Sequence, residues 1–302
     1  MNYSTTDIGL PMQNDHRIYI QDKYGLISPW HDIPLYANPS KTVFNMVVKA
    51  QRFTNANFEI SLKEPLNPIK QVSQGGVPKF IPNCFPYHGF LWNYGILPQT
   101  YEFSGQSAGN TRCRGMDPID VLEIGQRGAQ TGEILTVKIL GALALVDLDE
   151  LQYDWQLIAI DKRDPLADCL NDICDIEKYL PGLLQATMDW FTVHKVPLGK
   201  PMNSFGPGGG LKPASFAYDI IHEVHNCWKL IVSRTIQTDE VALVNTTLEG
   251  SVFKISRSDA KEIFHNKMIQ CTDDVKDIID ASFTDKVYFI DRYSGSSYGS
   301  KL

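Results

Sequence analysis

The spacing of apolar residues changes character along this chain. Between residues 17 and 62, and again between 118 and 161, it forms short runs: RIYIQ (17–21), VFNMVVK (43–49), NFEISL (57–62), IDVLEIG (119–125), ILTVKILGALALV (134–146) and WQLIAI (155–160). Gly, Pro, Asn and Asp punctuate these runs, as expected for strands joined by turns in an antiparallel barrel or sandwich. The period then lengthens. PGLLQATMDWFTV (181–193) opens with a proline suited to a helix start and puts Leu184, Met188 and Phe191 on one face. ASFAYDIIHEVHNCWKLIV (214–232) repeats apolar residues at 217, 220, 221, 224, 228 and 231, the 3.6-residue period of a helix with one buried side. FGPGGGLKP (205–213) reads as a flexible loop between them. Beyond about residue 238 the pattern weakens, which predicts a segment that wraps the core, and SGSSYGSKL (294–302) predicts a disordered end. The residues alone thus predict a mainly β chain with a few packed helices (α+β), a β-barrel in one domain.

Composition narrows the function classes. A chain of 302 residues is long enough to bury a substantial core. The longest apolar runs, such as ILGALALV (139–146), are too short to cross a bilayer, and the N-terminal stretch has no apolar core behind a basic region. No membrane partner is expected. A formal net charge of −7 argues against a general nucleic-acid binder, which needs a basic face. The six cysteines form no C-x-x-C pair and read as free thiols of a reducing compartment.

Carboxylates carry the main chemical signal. In RCRGMDPIDVLEIG (112–125), Asp117 and Asp120 flank Pro118-Ile119 just ahead of a strand. Asp147, Asp149 and Glu150 follow the apolar run 139–146, and Asp154 precedes the next. Hard cations such as Mg²⁺ take carboxylate oxygens, so acids at the ends of adjacent strands can meet in one site. The same acids equally suit turns between strands. HEVH (222–225) spaces its histidines three apart, unlike the four of a zincin, and reads as a solvated helix face. GPGGG lacks the Lys-Ser/Thr of a P-loop. CFPYHGFLWNYG (84–95) reads as core or pocket wall, with Tyr87 and Tyr94 able to present hydroxyls. His194-Lys195 can face an anion or the solvent.

SPWHDIPLYA, FNMVV, LNPIKQ, NCFPYHG, PQTYE, DPIDVLEIG, DWQLIAID, PGLL, DWF and GKPMN, in this order, resemble the soluble inorganic pyrophosphatases of family I, eukaryotic type. The likeness runs from about residue 15 to 235, leaving 236–302 as a C-terminal extension of a single domain. It implies a five-stranded OB-type barrel with flanking helices, a cytoplasmic homodimer, and a site at the barrel mouth where Mg²⁺ ions bind diphosphate and activate water. Carried over by position, Asp117 is the expected base. Asp120, Asp154, Asp147 and Glu59 are the expected metal ligands. Lys79, Tyr94, Lys195 and Lys49 are expected to face the substrate, and His194 to serve as an acid or base near neutral pH.

Several positions depart from the family pattern. The signature D-x-D-P-x-D reads Gly115-Met116-Asp117-Pro118-Ile119-Asp120, so its first aspartate is a glycine. Lys49 stands for a glutamate, Asn57 and Gln156 for lysines, Lys79 for an arginine, Phe90 for a tyrosine and His194 for a tyrosine. Two extra residues lengthen the 147–154 loop. The expectation is fewer or more weakly held Mg²⁺ ions, lost or reduced diphosphate hydrolysis, and a pocket turned to a less charged small molecule (an organic diphosphate or other metabolite). The alternatives are a non-catalytic binding scaffold and a slow Mg²⁺-dependent pyrophosphatase.

Overall fold

The computed structural model describes residues 2–102, 117–147, 152–236, 238, 240–271, 284–291 and 296–298. Its centre is a closed cycle of strand pairing. Phe44–Ala50 pairs with Asn93–Ile96, which pairs with Asp120–Glu123. Asp120–Glu123 runs parallel to Gln152–Asp161, which pairs with the long strand Ile134–Asp147, and that strand returns to Phe44–Ala50. A ring of this kind leaves no open edge among its five members.

The continuous apolar run in the long strand follows from burial on both faces. Ile139, Ala142 and Ala144 turn to one buried cluster, shared with Ala217, Ile220, Ile221 and Val224. Leu140, Leu143 and Leu145 turn to another, shared with Trp190 and Phe191. Such a strand has no polar face, so the usual alternation is lost. The register shifts between Ile139 and Gly141, which moves the facing from odd to even positions.

Among the described residues there are four α-helices: α1 (Ile173–Tyr179), α2 (Leu183–Val193) and α3 (Ala214–Val232) pack on the ring, and α4 (Arg257–Cys271) packs on the outer strands Ser4–Ile8 and Gly25–Ile27. Helix α3 buries every position that its period predicts. Helix α2 is rotated from the predicted stripe. Thr187, Trp190, Phe191 and Val193 are its buried residues, while Leu184 and Met188 are only partly covered. The two tryptophans decide this orientation. Trp190 donates its indole N–H to the Gly89 carbonyl at 2.8 Å, and Trp92 donates to Thr187 Oγ1 at 3.0 Å.

The structure changes or sharpens four expectations from the sequence. FGPGGGLKP is pinned rather than free: Ser204–Phe205 and Leu211–Pro213 both pair with the long strand, around the short turn Pro207–Gly210. His222 of HEVH is exposed, but His225 is buried, stacks on Trp228, and lies 2.7 Å from the Gln99 carbonyl. The weakly patterned tail contains α4, whose Ala260, Ile263 and Phe264 cover Ile8, Tyr19, Leu26 and Leu66. Of the predicted disordered end, Ser296–Tyr298 pairs with Phe289–Asp291, and the rest lies outside the described residues.

One carboxylate makes a dense set of bonds to the tail, which Arg257 also ties to Asp22. Asp32 is buried and accepts from the backbone N–H groups of Ser28, Thr246 and Thr247 and from the hydroxyls of Thr246 and Thr247, at 2.7–3.0 Å. A buried carboxylate needs such donors to offset its lost hydration. Asp32→Ala therefore leaves several buried donors unpaired and is expected to cost about 3 kcal/mol. Urea unfolding measures this as a lowered midpoint, and proteolysis should cut the segment around residue 246 first.

Candidate active site

The register of the ring gathers polar residues from four strands. Tyr94 sits opposite Ala50 on one side and Leu122 on the other, while Asp120 lies beside Gln156 and opposite Ile96. Gly95 permits this closeness, because a Cβ there would lie 2.2 Å from the Val47 carbonyl oxygen. The result is one connected network. Lys49 Nζ lies 2.5 Å from Asp120 Oδ1 and 4.5 Å above the Tyr94 ring. The Tyr94 hydroxyl donates to the other Asp120 oxygen and lies 3.3 Å from Gln156 Oε1. Gln156 in turn donates to Asp154 Oδ1 at 3.0 Å. Gln156 is itself buried, so its amide oxygen and nitrogen are fixed between Tyr94 and Asp154.

This network floors a cavity of about 860 Å³. Its polar lining includes Lys79, Asp154, His194, Lys195 and Lys200. Asn57, Phe90 and Gln156, three positions that depart from the family pattern, line the same space. Phe90 stacks on Tyr94 at 5.2 Å and so holds the ring without offering a hydroxyl. Helix α2 ends at the cavity wall and delivers His194 and Lys195.

The carboxylates are electrostatically crowded. Asp154 opens to the cleft, yet protein surrounds it, and its pKa rises to about 6. Desolvation is the largest cause and Asp120 adds to it, while Gln156, Lys195 and Lys49 oppose. Water reaching through the cleft screens part of that shift. Asp117 is likewise exposed, and its pKa is raised by desolvation first, then by Asp120 and Glu59, with Lys49 opposing. Tyr94 is pushed well above its usual range by burial and by Asp120 and Asp154.

Of the residues picked out in the sequence, Lys79, Tyr94, Asp154 and Lys195 line the cavity, while Asp120 and Asp117 lie close enough to Tyr94 to act on its hydroxyl. Other roles change. Lys49 does not reach into the cavity as a substrate contact but is buried against Asp120. The Tyr94 hydroxyl is committed to the same carboxylate. Glu59 lies near Asp117 but is paired with Lys70 at 3.5 Å. His194 does not titrate near neutral pH: it is buried, stacked on Trp190 at 4.4 Å, with Nδ1 2.9 Å from the Phe191 carbonyl, and its pKa falls to about 4. Asp147 ends the long strand, but its side chain, like Gly115, lies outside the described residues. Two residues escaped the sequence reading. Lys200, in GKPMN, lines the cavity. Glu102, in PQTYE, is a buried acid whose pKa is raised well above the usual range by burial and by Asp154, Asp120 and Asp117.

The profile of the inorganic pyrophosphatase family matches residues 46–229. The chain belongs to this family. It is 47% identical over 263 residues to the inorganic pyrophosphatase of Drosophila melanogaster, covering 86% of this chain and 77% of the fly protein. It is equally identical over 252 residues to that of Candida albicans, covering 83% of this chain and 87% of the yeast protein. Among solved structures, the inorganic pyrophosphatase of Schistosoma japonicum superimposes with a TM-score of 0.76 at 37% identity, covering 82% of this chain and 87% of that one. A truncated vacuolar soluble pyrophosphatase of Trypanosoma cruzi, solved with PPi, gives 0.68 at 36% identity, covering 78% of this chain and 92% of that one. The mainly β pyrophosphatase fold expected from the sequence is therefore present. Nothing in these likenesses shows lost activity or a replaced substrate, and they favour diphosphate hydrolysis over the expected change to a less charged metabolite.

The Asp154 environment gives a pH expectation. Its folded pKa lies above its ordinary 3.8, so deprotonation costs stability as pH rises from 3.8 to about 6, and the charge available to a cation is lost as pH falls through about 6. Carboxyl ¹³C NMR should show an inflection near 6 in the native chain. Gln156→Leu removes the hydrogen bond and should raise it, whereas Gln156→Lys adds a cation and should lower it.

Proposed function

We propose that this chain hydrolyses inorganic diphosphate to two phosphates, slowly and with fewer Mg²⁺ ions than the family resemblance implies. The observation that carries this reading is the joint lining of one cleft by Lys79, Lys195 and Lys200 and by Asp154, with Asp117 and Asp120 close to the Tyr94 that lines it. A highly charged anion needs cations to enter, and its hydrolysis needs a base beside it.

Residue by residue, the roles follow from position and charge. Lys79, Lys195 and Lys200 grip the phosphates and hold the leaving phosphate as the P–O bond breaks. Asp117, its basicity strengthened first by desolvation and then by Asp120 and Glu59 against the opposing Lys49, takes a proton from the attacking water. The carboxylates fit a hard cation unevenly. Asp154 lines the cleft and Asp117 is exposed, so these two would hold Mg²⁺ that arrives with diphosphate, whereas both Asp120 oxygens are already engaged. Bound Mg²⁺ would supply charge neutralisation and a more acidic water. Tyr94 and Gln156 position Asp120 and Asp154. His194, neutral at physiological pH, walls the cleft. The working unit in this reading is a cytoplasmic homodimer, which light scattering on the full chain tests.

One observation favours a second reading, a larger organic diphosphate. The cavity wall carries Val77, Phe80, Ile81 and Leu198 beside the lysines. Phosphate release from diphosphate and from organic diphosphates, each with Mg²⁺ titrated, separates the two readings. The expected outcome is Mg²⁺-dependent release from inorganic diphosphate that falls at least about 100-fold in Asp117→Ala, the usual worth of a positioned base. Lys79→Ala and Lys195→Ala should raise KM more than they lower kcat. Release from organic diphosphates alone would move the assignment to the second reading, and no release from any of them would leave a binding scaffold.

A further inference from the structure

We propose that the Lys49 ammonium is a built-in cation: it fills one cation position among the site carboxylates and keeps a divalent ion out of it. The inference deepens the proposed function and rests on its reading of Asp117, Asp120 and Asp154 as a cation-facing group.

The geometry places the Lys49 ammonium against Asp120 and over the Tyr94 ring, in the position a cation at Asp120 would take. The residue is buried on the Phe44–Ala50 strand, with its stem covered by the ring. Its Nζ bonds one Asp120 oxygen at 2.5 Å, and the Tyr94 hydroxyl occupies the other. The Tyr94 face, 4.5 Å beneath the ammonium, offers a further surface suited to a cation. Its charge also acts on Asp117 and Asp154, so it is central to the carboxylates rather than attached to one of them. Among the described residues, no group of three His, Cys, Asp or Glu side chains is placed to hold a metal ion. A divalent ion at Asp120 must therefore displace a charged side chain that cannot diffuse away, because Lys49 is tethered to the sheet.

Two consequences follow. The Asp120–Tyr94–Gln156 arrangement is assembled without metal, since the ammonium already balances Asp120. The number of divalent ions the chain can take is lower by one than it would be with an uncharged residue at position 49.

The test counts ions directly. Mn²⁺ binding to the full chain is followed by electron paramagnetic resonance and calorimetry, without substrate, for the native chain and for Lys49→Met, Lys49→Glu and Lys49→Arg. Lys49→Met and Lys49→Glu are expected to gain one Mn²⁺ site, or to tighten the first site by at least about ten-fold, the scale of one removed like-charge contact. Lys49→Arg keeps the charge and should gain nothing. Equal stoichiometry and affinity in the native chain and Lys49→Met would overturn the proposal. A measurement on the native chain alone guards against misfolded variants. The Lys49 side-chain ¹⁵N signal should stay unchanged on saturation with Mg²⁺, and displacement of that signal would overturn the proposal as well. Phosphate release reports separately on the hydrolase reading. Extra Mn²⁺ in Lys49→Met from a chain that hydrolyses nothing sinks that reading alone, and hydrolysis with no change in ion count sinks this one alone.

Discussion

The contact between Lys49 and Asp120 organises the rest of the site. It joins two strands of the closed ring, and Tyr94, Gln156 and Asp154 are hydrogen-bonded to it in series. Tyr94 turns its hydroxyl to the remaining Asp120 oxygen, Gln156 reads the Tyr94 hydroxyl, and Asp154 accepts from Gln156. A buried ion pair is held by such supporting bonds more than by attraction alone, because both charges have given up water. The hydrogen-bonded chain from Lys49 to Asp154 thus acts as a unit, and a change at one end is felt at the other.

That unit explains how substitutions can accumulate in a cleft while the scaffold keeps its form. Phe90 still fills the space beside Tyr94, and His194 still stacks on Trp190 at the end of α2. Both preserve shape while changing what the wall can donate. Gln156 is an amide fixed between the Tyr94 hydroxyl and the Asp154 carboxylate.

The sequence made much of this legible, and the limits have physical causes. Helix α3 was readable because six apolar residues recur at one period on a face that meets the ring. Helix α4 was not, since it buries little beyond Ala260 and has almost no apolar stripe to read. The rotation of α2 depends on where two indole N–H groups find acceptors more than 90 residues away. At the site, residue types and order pointed to Asp117, Asp120, Asp154 and Lys195. The pairing of Lys49 with Asp120 is set by strand register across 71 positions, which no local pattern encodes. The misreading of His194 has a similar origin: its low pKa comes from burial against Trp190, whereas the sequence shows only a histidine beside a lysine.

The Asp32 clasp has a consequence for how the molecule is made. Its donors on Thr246 and Thr247 lie 214 and 215 residues downstream. A ribosome delivers the carboxylate long before these partners, so a ring that folded as it emerged would hold a buried charge without its donors. Contacts of such separation are slow to close. The nascent chain therefore stays unlatched at this point until Thr246 and Thr247 have been made.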